Sequence, residues 1–141
     1  QIDGGTLSLT ASEGIEGTYI QINGGTIEIS ASDDGINASR KSSAYRAAVE
    51  INGGELTISM GGGDTDAIDA NGSIYVNGGR IDITAPTSSF DYDEQGVYTG
   101  GTVIVNGEQI DDIPEPTMPG FGGWGGGWGG WGGGPGGGGR R

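Results

Sequence analysis

The chain has 141 residues, 34 of them Gly, with 19 Asp+Glu against 6 Lys+Arg and neither Cys nor His. Without Cys there is no disulfide framework or thiolate metal site, and without His there is no imidazole triad or zinc centre. The formal charge of −13 argues against a nucleic-acid partner, which needs a basic footprint, and no apolar run approaches the ~20 residues of a spanning helix.

Gln1 opens directly into patterned sequence with no basic-plus-apolar leader, so any signal peptide is expected to have been removed. The pattern starts as a partial copy, Ile2-Asp3-Gly4-Gly5-Thr6-Leu7-Ser8-Leu9-Thr10-Ala11. It is complete in Ile20-Gln21-Ile22-Asn23-Gly24-Gly25-Thr26-Ile27-Glu28-Ile29-Ser30-Ala31, returns over 49–60 and 74–85, and degenerates over 98–105. The Gly-Gly pairs begin at 4, 24, 53, 78 and 100, giving steps of 20, 29, 25 and 22 residues. Each copy alternates apolar and polar residues, turns at its Gly-Gly pair, and alternates again. Period two predicts strands, and Gly takes the positive φ of a sharp turn at little steric cost. Two short strands per repeat describe an all-β parallel β-helix, or β-solenoid, of about five coils.

In such a fold like residues stack about 4.8 Å apart. Three apolar ladders are then expected: Ile2, Ile22, Ile51 and Val76; Leu7, Ile27, Leu56, Ile81 and Val103; Leu9, Ile29, Ile58, Ile83 and Val105. Asn23, Asn52 and Asn77 form a stacked amide ladder in the turn. The competing fold is an antiparallel hairpin array turning at Asn-Gly-Gly, which leaves the third segment of each repeat unexplained.

That third segment is acidic. It reads Ser12-Glu13-Gly14-Ile15-Glu16, then Ser32-Asp33-Asp34-Gly35-Ile36-Asn37, then Asp64-Thr65-Asp66-Ala67-Ile68-Asp69, then Ser88-Ser89-Phe90-Asp91-Tyr92-Asp93. Aligning Ile15, Ile36, Ile68 and Phe90 as a fourth inward ladder places Glu16, Asn37, Asp69 and Asp91 in one column and Glu13, Asp34, Asp66 and Ser88 in another. Two carboxylates ~5 Å apart repel by about 3 kcal/mol at an effective dielectric of ~20. The acids therefore splay into water as a solvated face, share protons, or hold cations. Oxygen-only ligands suit Ca²⁺ first and Mg²⁺ second, although no EF-hand spacing is present.

Residues 38–48 are an insertion carrying Arg40, Lys41, Tyr45 and Arg46, which include three of the four basic residues of the body, 1–113. Three Pro within 114–119 mark a linker, and 120–141 form a low-complexity tail holding 15 Gly and Trp124, Trp128 and Trp131. The tail reads as a flexible or wall-associating segment, or as an extended helix lying along a solenoid.

Taken in order, Ile-x-Ile-Asn-Gly-Gly-x-Ile-x-Ile-Ser-Ala, Ser32-Asp33-Asp34-Gly35-Ile36-Asn37-Ala38, Asp66-Ala67-Ile68-Asp69-Ala70-Asn71-Gly72 and Ser89-Phe90-Asp91-Tyr92-Asp93 resemble a family of secreted bacterial proteins. Those proteins are common in clostridia, carry a carbohydrate-binding domain and are similar to polysaccharide-lyase β-helices. The resemblance spans roughly residues 1–110. It implies a right-handed parallel β-helix, bound Ca²⁺, and non-catalytic binding of plant cell-wall polysaccharide (acidic pectin-type chains or cellulose) or other acidic polysaccharide, outside the cell or at its surface. By position it makes Asp33, Asp34, Asn37, Asp64, Asp66, Asp69, Asp91 and Asp93 calcium ligands, and Glu13 and Glu16 lead the same columns. Two features depart from the family: the chain begins mid-coil, and Glu94-Gln95-Gly96-Val97 replaces the usual entry to the last coil.

With a sugar as partner, the insertion gains a role as a binding lip. Arg40 or Arg46 would pair with a uronate carboxylate and Tyr45 would stack on a ring; charge compensation beside an acidic column is the other reading. Lyase chemistry needs a basic side chain beside Ca²⁺, and Lys41, the one Lys, sits in a Ser-rich loop with nothing evident to lower its pKa. No catalytic residue is assigned. Ice binding needs a uniform Thr array, whereas the outward column runs Thr6, Thr26, Glu55, Arg80, Thr102. The remaining alternative is structural: solenoid ends expose strand edges, so subunits would stack head to tail into a filament bridged by the tail.

Overall fold

A computed structural model of the chain describes residues 1–63 and 65–116. Asp64, the end of the linker, and the tail with Trp124, Trp128 and Trp131 lie outside the described residues. The described chain is all β, with no helix, and winds as a solenoid of about four turns. No helix among the described residues is long and apolar enough to cross a membrane.

Each turn contributes to three faces. The first face stacks β2 (Tyr19–Ile22), β4 (Ala48–Ile51), β7 (Ser73–Val76) and β10 (Gly96–Tyr98), all parallel. The second stacks the leading half of β1 (Thr6–Gly17) and of β3 (Thr26–Ala38) with β5 (Glu55–Met60), β8 (Arg80–Thr84) and β11 (Thr102–Val105), again parallel. The third stacks the trailing halves of β1 and β3 with β6 (Asp66–Ala70) and β9 (Ser88–Tyr92). In β1 the corner between faces shows as a register shift between Ala11 and Glu13.

The register carries every ladder the repeat predicts. Ile2 bridges Ile22, which pairs with Ile51 and then Val76. Leu7–Ile27–Leu56–Ile81–Val103 and Leu9–Ile29–Ile58–Ile83–Val105 run up the second face. Ile15–Ile36–Ile68–Phe90 run up the third. The middle members of these ladders are wholly buried, as Ile36, Ile51, Ile58, Ile68, Val76 and Ile83 show, while Ile2, Leu7, Leu9, Ile15 and Val105 at the ends are only partly covered. Burying one such side chain contributes roughly 1.5–3 kcal/mol, so the middle rungs contribute most of the apolar stabilisation.

The turn ladder is equally regular. Asn52 Nδ2 donates to Asn23 Oδ1 and Asn77 Nδ2 to Asn52 Oδ1, each at 2.8 Å. Asn23 Nδ2 donates to Asp3 at 2.7 Å at one end, and Thr99 Oγ1 donates to Asn77 Oδ1 at 2.7 Å at the other. Every amide between the ends is thus both donor and acceptor, which specifies register.

One expectation needs correction at the far end of the solenoid. The five Gly-Gly copies complete about four turns, because the fifth is cut short after β11. There the chain reverses through Asn106-Gly107 into β12 (Glu108–Ile110), which pairs antiparallel with β11. Asn106 (φ 51°) and Gly107 (φ 85°) both take the left-handed conformation of a two-residue hairpin turn. The edge of β11 is therefore covered, while β9 and β10 end the other two faces among the described strands. Ile113, 3% exposed, packs beside Gly96, where a Cβ would lie 2.8 Å from Ile113 Cγ2 and 2.7 Å from the Tyr92 ring. At the other end, β1 pairs with β3 alone among the described strands.

Candidate metal and carbohydrate sites

The third face brings the acidic columns together. Pairing in register places Glu13, Asp34, Asp66 and Ser88 side by side, and likewise Glu16, Asn37, Asp69 and Asp91. A glycine permits this close stacking: a Cβ on Gly35 would lie 2.5 Å from the carbonyl oxygen of Ala67 and 2.7 Å from Ile58 Cγ2.

Asp34, Asp66 and Asp69 converge, each offering a carboxylate oxygen within 4.8 Å of the others. An ion with ligands at ~2.3–2.6 Å can bridge such a span. Asp69 is wholly buried, and Asp34 and Asn37 are nearly so. Asn37 Nδ2 donates to Glu13 Oε1 at 2.8 Å, while its Oδ1, equally buried, has no hydrogen-bond partner. Three converging carboxylates, with the buried Asn37 in register beside Asp69, make a donor set suited to a hard cation. Burial, followed by the charges of Asp66, Asp33 and Glu13, pushes the Asp34 carboxyl up to about 7. The packed acids thus resist ionising together.

Of the other expected ligands, Asp64 lies outside the described residues. Glu16 is exposed and forms an ion pair with Lys41 at 3.1 Å, which with a hydrogen bond involving Glu13 holds its carboxyl below the usual range. Asp33 is exposed, although its charge reaches Asp34. Asp91 is buried one rung beyond Asp69, and Asp93 lies past the end of β9, its N–H donating to the carbonyl of Gly72 at 3.1 Å.

A second constellation, on the first face, is not evident from the repeat. A groove of about 360 Å³ is lined by Tyr19, Arg46, Ala47, Ala48, Glu50, Ser73, Tyr75, Asn77 and Glu94. The small side chains of Ala48 and Ser73, paired in register, lie between the larger Tyr19 and Tyr75. The Tyr19 hydroxyl donates to Glu50 Oε1, and Asn52 Nδ2 donates to Glu50 Oε2 at 2.8 Å. These two bonds hold the Glu50 carboxyl below its usual range, and the same contact with Glu50 pushes the Tyr19 phenol up to about 12. Arg46 Nη2 donates to Glu94 Oε1 at 2.7 Å. Tyr45 extends the wall outside the groove, its ring edge-on to Tyr19 at 6.4 Å between centroids.

The insertion therefore does part of what its sequence suggests. Tyr45 and Arg46 reach a groove, whereas Lys41 sits on Glu16 and Arg40 is exposed with no ion pair among the described residues. Arg46 and Lys41 are each paired with a glutamate. Tyr19, Glu50, Tyr75 and Glu94 escaped the sequence reading. Their signal was present, since Gln21, Glu50 and Tyr75 occupy one outward column of the repeat.

No curated protein and no solved structure matches the chain. A family model described as carbohydrate-binding domain-containing protein matches residues 1–113. That span takes in all the strands and both constellations, and the chain belongs to the carbohydrate-binding domain-containing protein family.

Proposed function

We propose that this protein is an extracellular, non-catalytic polysaccharide-binding module whose acidic third face is held together by Ca²⁺. The observation that carries the binding reading is the family match over the entire solenoid. A solenoid suits such binding because its faces are rigid, and a sugar chain laid along them loses little to protein reordering.

The calcium reading rests on Asp34, Asp66 and Asp69, with the buried Asn37 in register beside Asp69. Bound there, the ion would neutralise charges that the fold forces into contact. Asp34 and Asn37 belong to one turn and Asp66 and Asp69 to the next, so the donors come from two rungs. The proposed role is structural. The single Lys, exposed and ion-paired with Glu16, is poorly placed to act as the base of a lyase.

Retention of the purified chain on immobilised cell-wall polysaccharides tests the function. Binding should appear without any rise in ultraviolet absorbance from unsaturated uronides. Failure to be retarded by any glycan matrix, or turnover of pectate, contradicts the reading.

A further inference from the structure

Family membership leaves open which surface holds the sugar and which sugars it takes. Three surfaces compete: the acidic third face, the Thr- and Glu-rich outside of the second, and the aromatic groove on the first. The third face presents carboxylates and, as read above, serves a cation. The outside of the second face carries Thr26, Glu55 and Arg80 in one column with no aromatic side chain, so it lacks a platform for a sugar ring. The first face has both requirements of a sugar site: aromatic planes, and polar groups fixed before the ligand arrives.

We propose that the groove lined by Tyr19 and Tyr75, with Tyr45 extending its wall beyond Tyr19, is the glycan subsite, and that it takes a neutral, hydroxyl-rich sugar chain rather than a polyuronate. This rests on the carbohydrate-binding reading and narrows it. Tyr45 is 66% exposed and Tyr19 41%, the two large apolar side chains most open to solvent among the described residues. They meet edge to face, so together they give a bent aromatic wall onto which the C–H face of a pyranose can pack. The floor of Ala48 and Ser73 leaves room below that wall.

Charge decides the class of sugar. The ionic groups lining the groove are Glu50, Glu94 and Arg46, two anions against one cation. Arg46 is already held by Glu94, so a uronate would have to displace a carboxylate to reach it. The body around the groove is itself strongly acidic, with 18 Asp+Glu against 4 Lys+Arg in residues 1–113. A polyanion meets repulsion at every range. A neutral sugar meets carboxylate oxygens that accept from its hydroxyls, and these are charge-assisted hydrogen bonds. Glu50 is fixed by Tyr19 and Asn52, and Glu94 by Arg46, so both acceptors are oriented in advance. The volume lies at the small end of ligand sites, suited to a short stretch of chain rather than a long segment.

The test is calorimetric titration of the full chain, in buffer containing Ca²⁺, with cellohexaose, xylohexaose and hexagalacturonate. The wild type should bind a neutral hexamer and not hexagalacturonate. Tyr45→Ala should weaken that binding about tenfold, and the exposure of Tyr45 makes unfolding of this variant unexpected. Tyrosine ring resonances, assigned through Tyr45→Phe and Tyr75→Phe, should shift on adding the neutral hexamer. Neutral binding unchanged in Tyr45→Ala, with no ring shifts, overturns the groove and leaves the carbohydrate reading standing. Binding of hexagalacturonate alone overturns the neutral specificity. Binding of none of the three, together with no retention on any glycan matrix, removes the carbohydrate reading and the groove with it.

Discussion

The two glycines of each Gly-Gly pair serve different ends. The second takes positive φ, at 98° in Gly25, 90° in Gly54 and 87° in Gly79. The first is required by the neighbouring turn of the solenoid: a Cβ on Gly53 would lie 2.5 Å from the carbonyl oxygen of Asn23, and one on Gly78 equally close to that of Asn52. Gly4, the same motif position in the first copy, has nothing within 4 Å. Gly53→Ala should therefore cost about 2 kcal/mol or more through backbone displacement, while Gly4→Ala should leave urea midpoints nearly unchanged. Turn chemistry was legible in the repeat, but the steric role of the first glycine was not, because it depends on a backbone 30 or 26 residues away. Asp34 gives a second test at this scale. Its folded-state carboxyl lies near 7 against an ordinary 3.8. Between those values the metal-free folded chain keeps a proton that the unfolded chain releases. The stability that the Asp34 carboxyl contributes without metal should thus be full below about pH 4 and be lost as pH rises through about 7. Melting in EDTA at pH 5 and pH 7.5 checks this; a higher midpoint at pH 7.5 contradicts it.

Among the elements, period-two alternation predicted the strands, and the spacing of Gly-Gly pairs predicted their parallel order. All four apolar ladders and both acidic columns could be written down in advance, since stacking in register turns sequence alignment into spatial contact. β12 was the exception. Asn106-Gly107 is a strong hairpin signal, but it lies past the last, degenerate copy, 98–105, where the repeat predicts nothing. The Asn106 side chain also braces the turn, with Oδ1 accepting from the Ala85 N–H at 2.8 Å and Nδ2 donating to the Ala85 carbonyl at 3.0 Å. Asn106→Ala forfeits both bonds and the residue best suited to φ 51°, and should destabilise the fold by roughly 1–3 kcal/mol in denaturant titration. No loss would show that the hairpin contributes nothing to the cap. The aromatic groove was legible only in part: Glu50 and Tyr75 share an outward column of the repeat, whereas Tyr19, the insertion and Glu94 are far apart in sequence and share no motif.

At the scale of the whole molecule, one tightly stacked apolar core supports two chemically different surfaces. The hairpin covers the edge of β11 alone, while β9, β10 and β12 are the last strands on their sheet paths at this end among the described residues. The stacking that makes the core regular also forces Asp34, Asp66 and Asp69 into contact, and the proposed ion site depends on that contact. Its most direct test is the melting temperature of the wild type and of Asp69→Asn in EDTA and in millimolar Ca²⁺. Saturating an ion site at about 100 times its Kd contributes ~2.7 kcal/mol, so the wild-type midpoint should rise by about 5–10 °C and that of Asp69→Asn by much less. Superimposable wild-type melts with and without Ca²⁺ would contradict it.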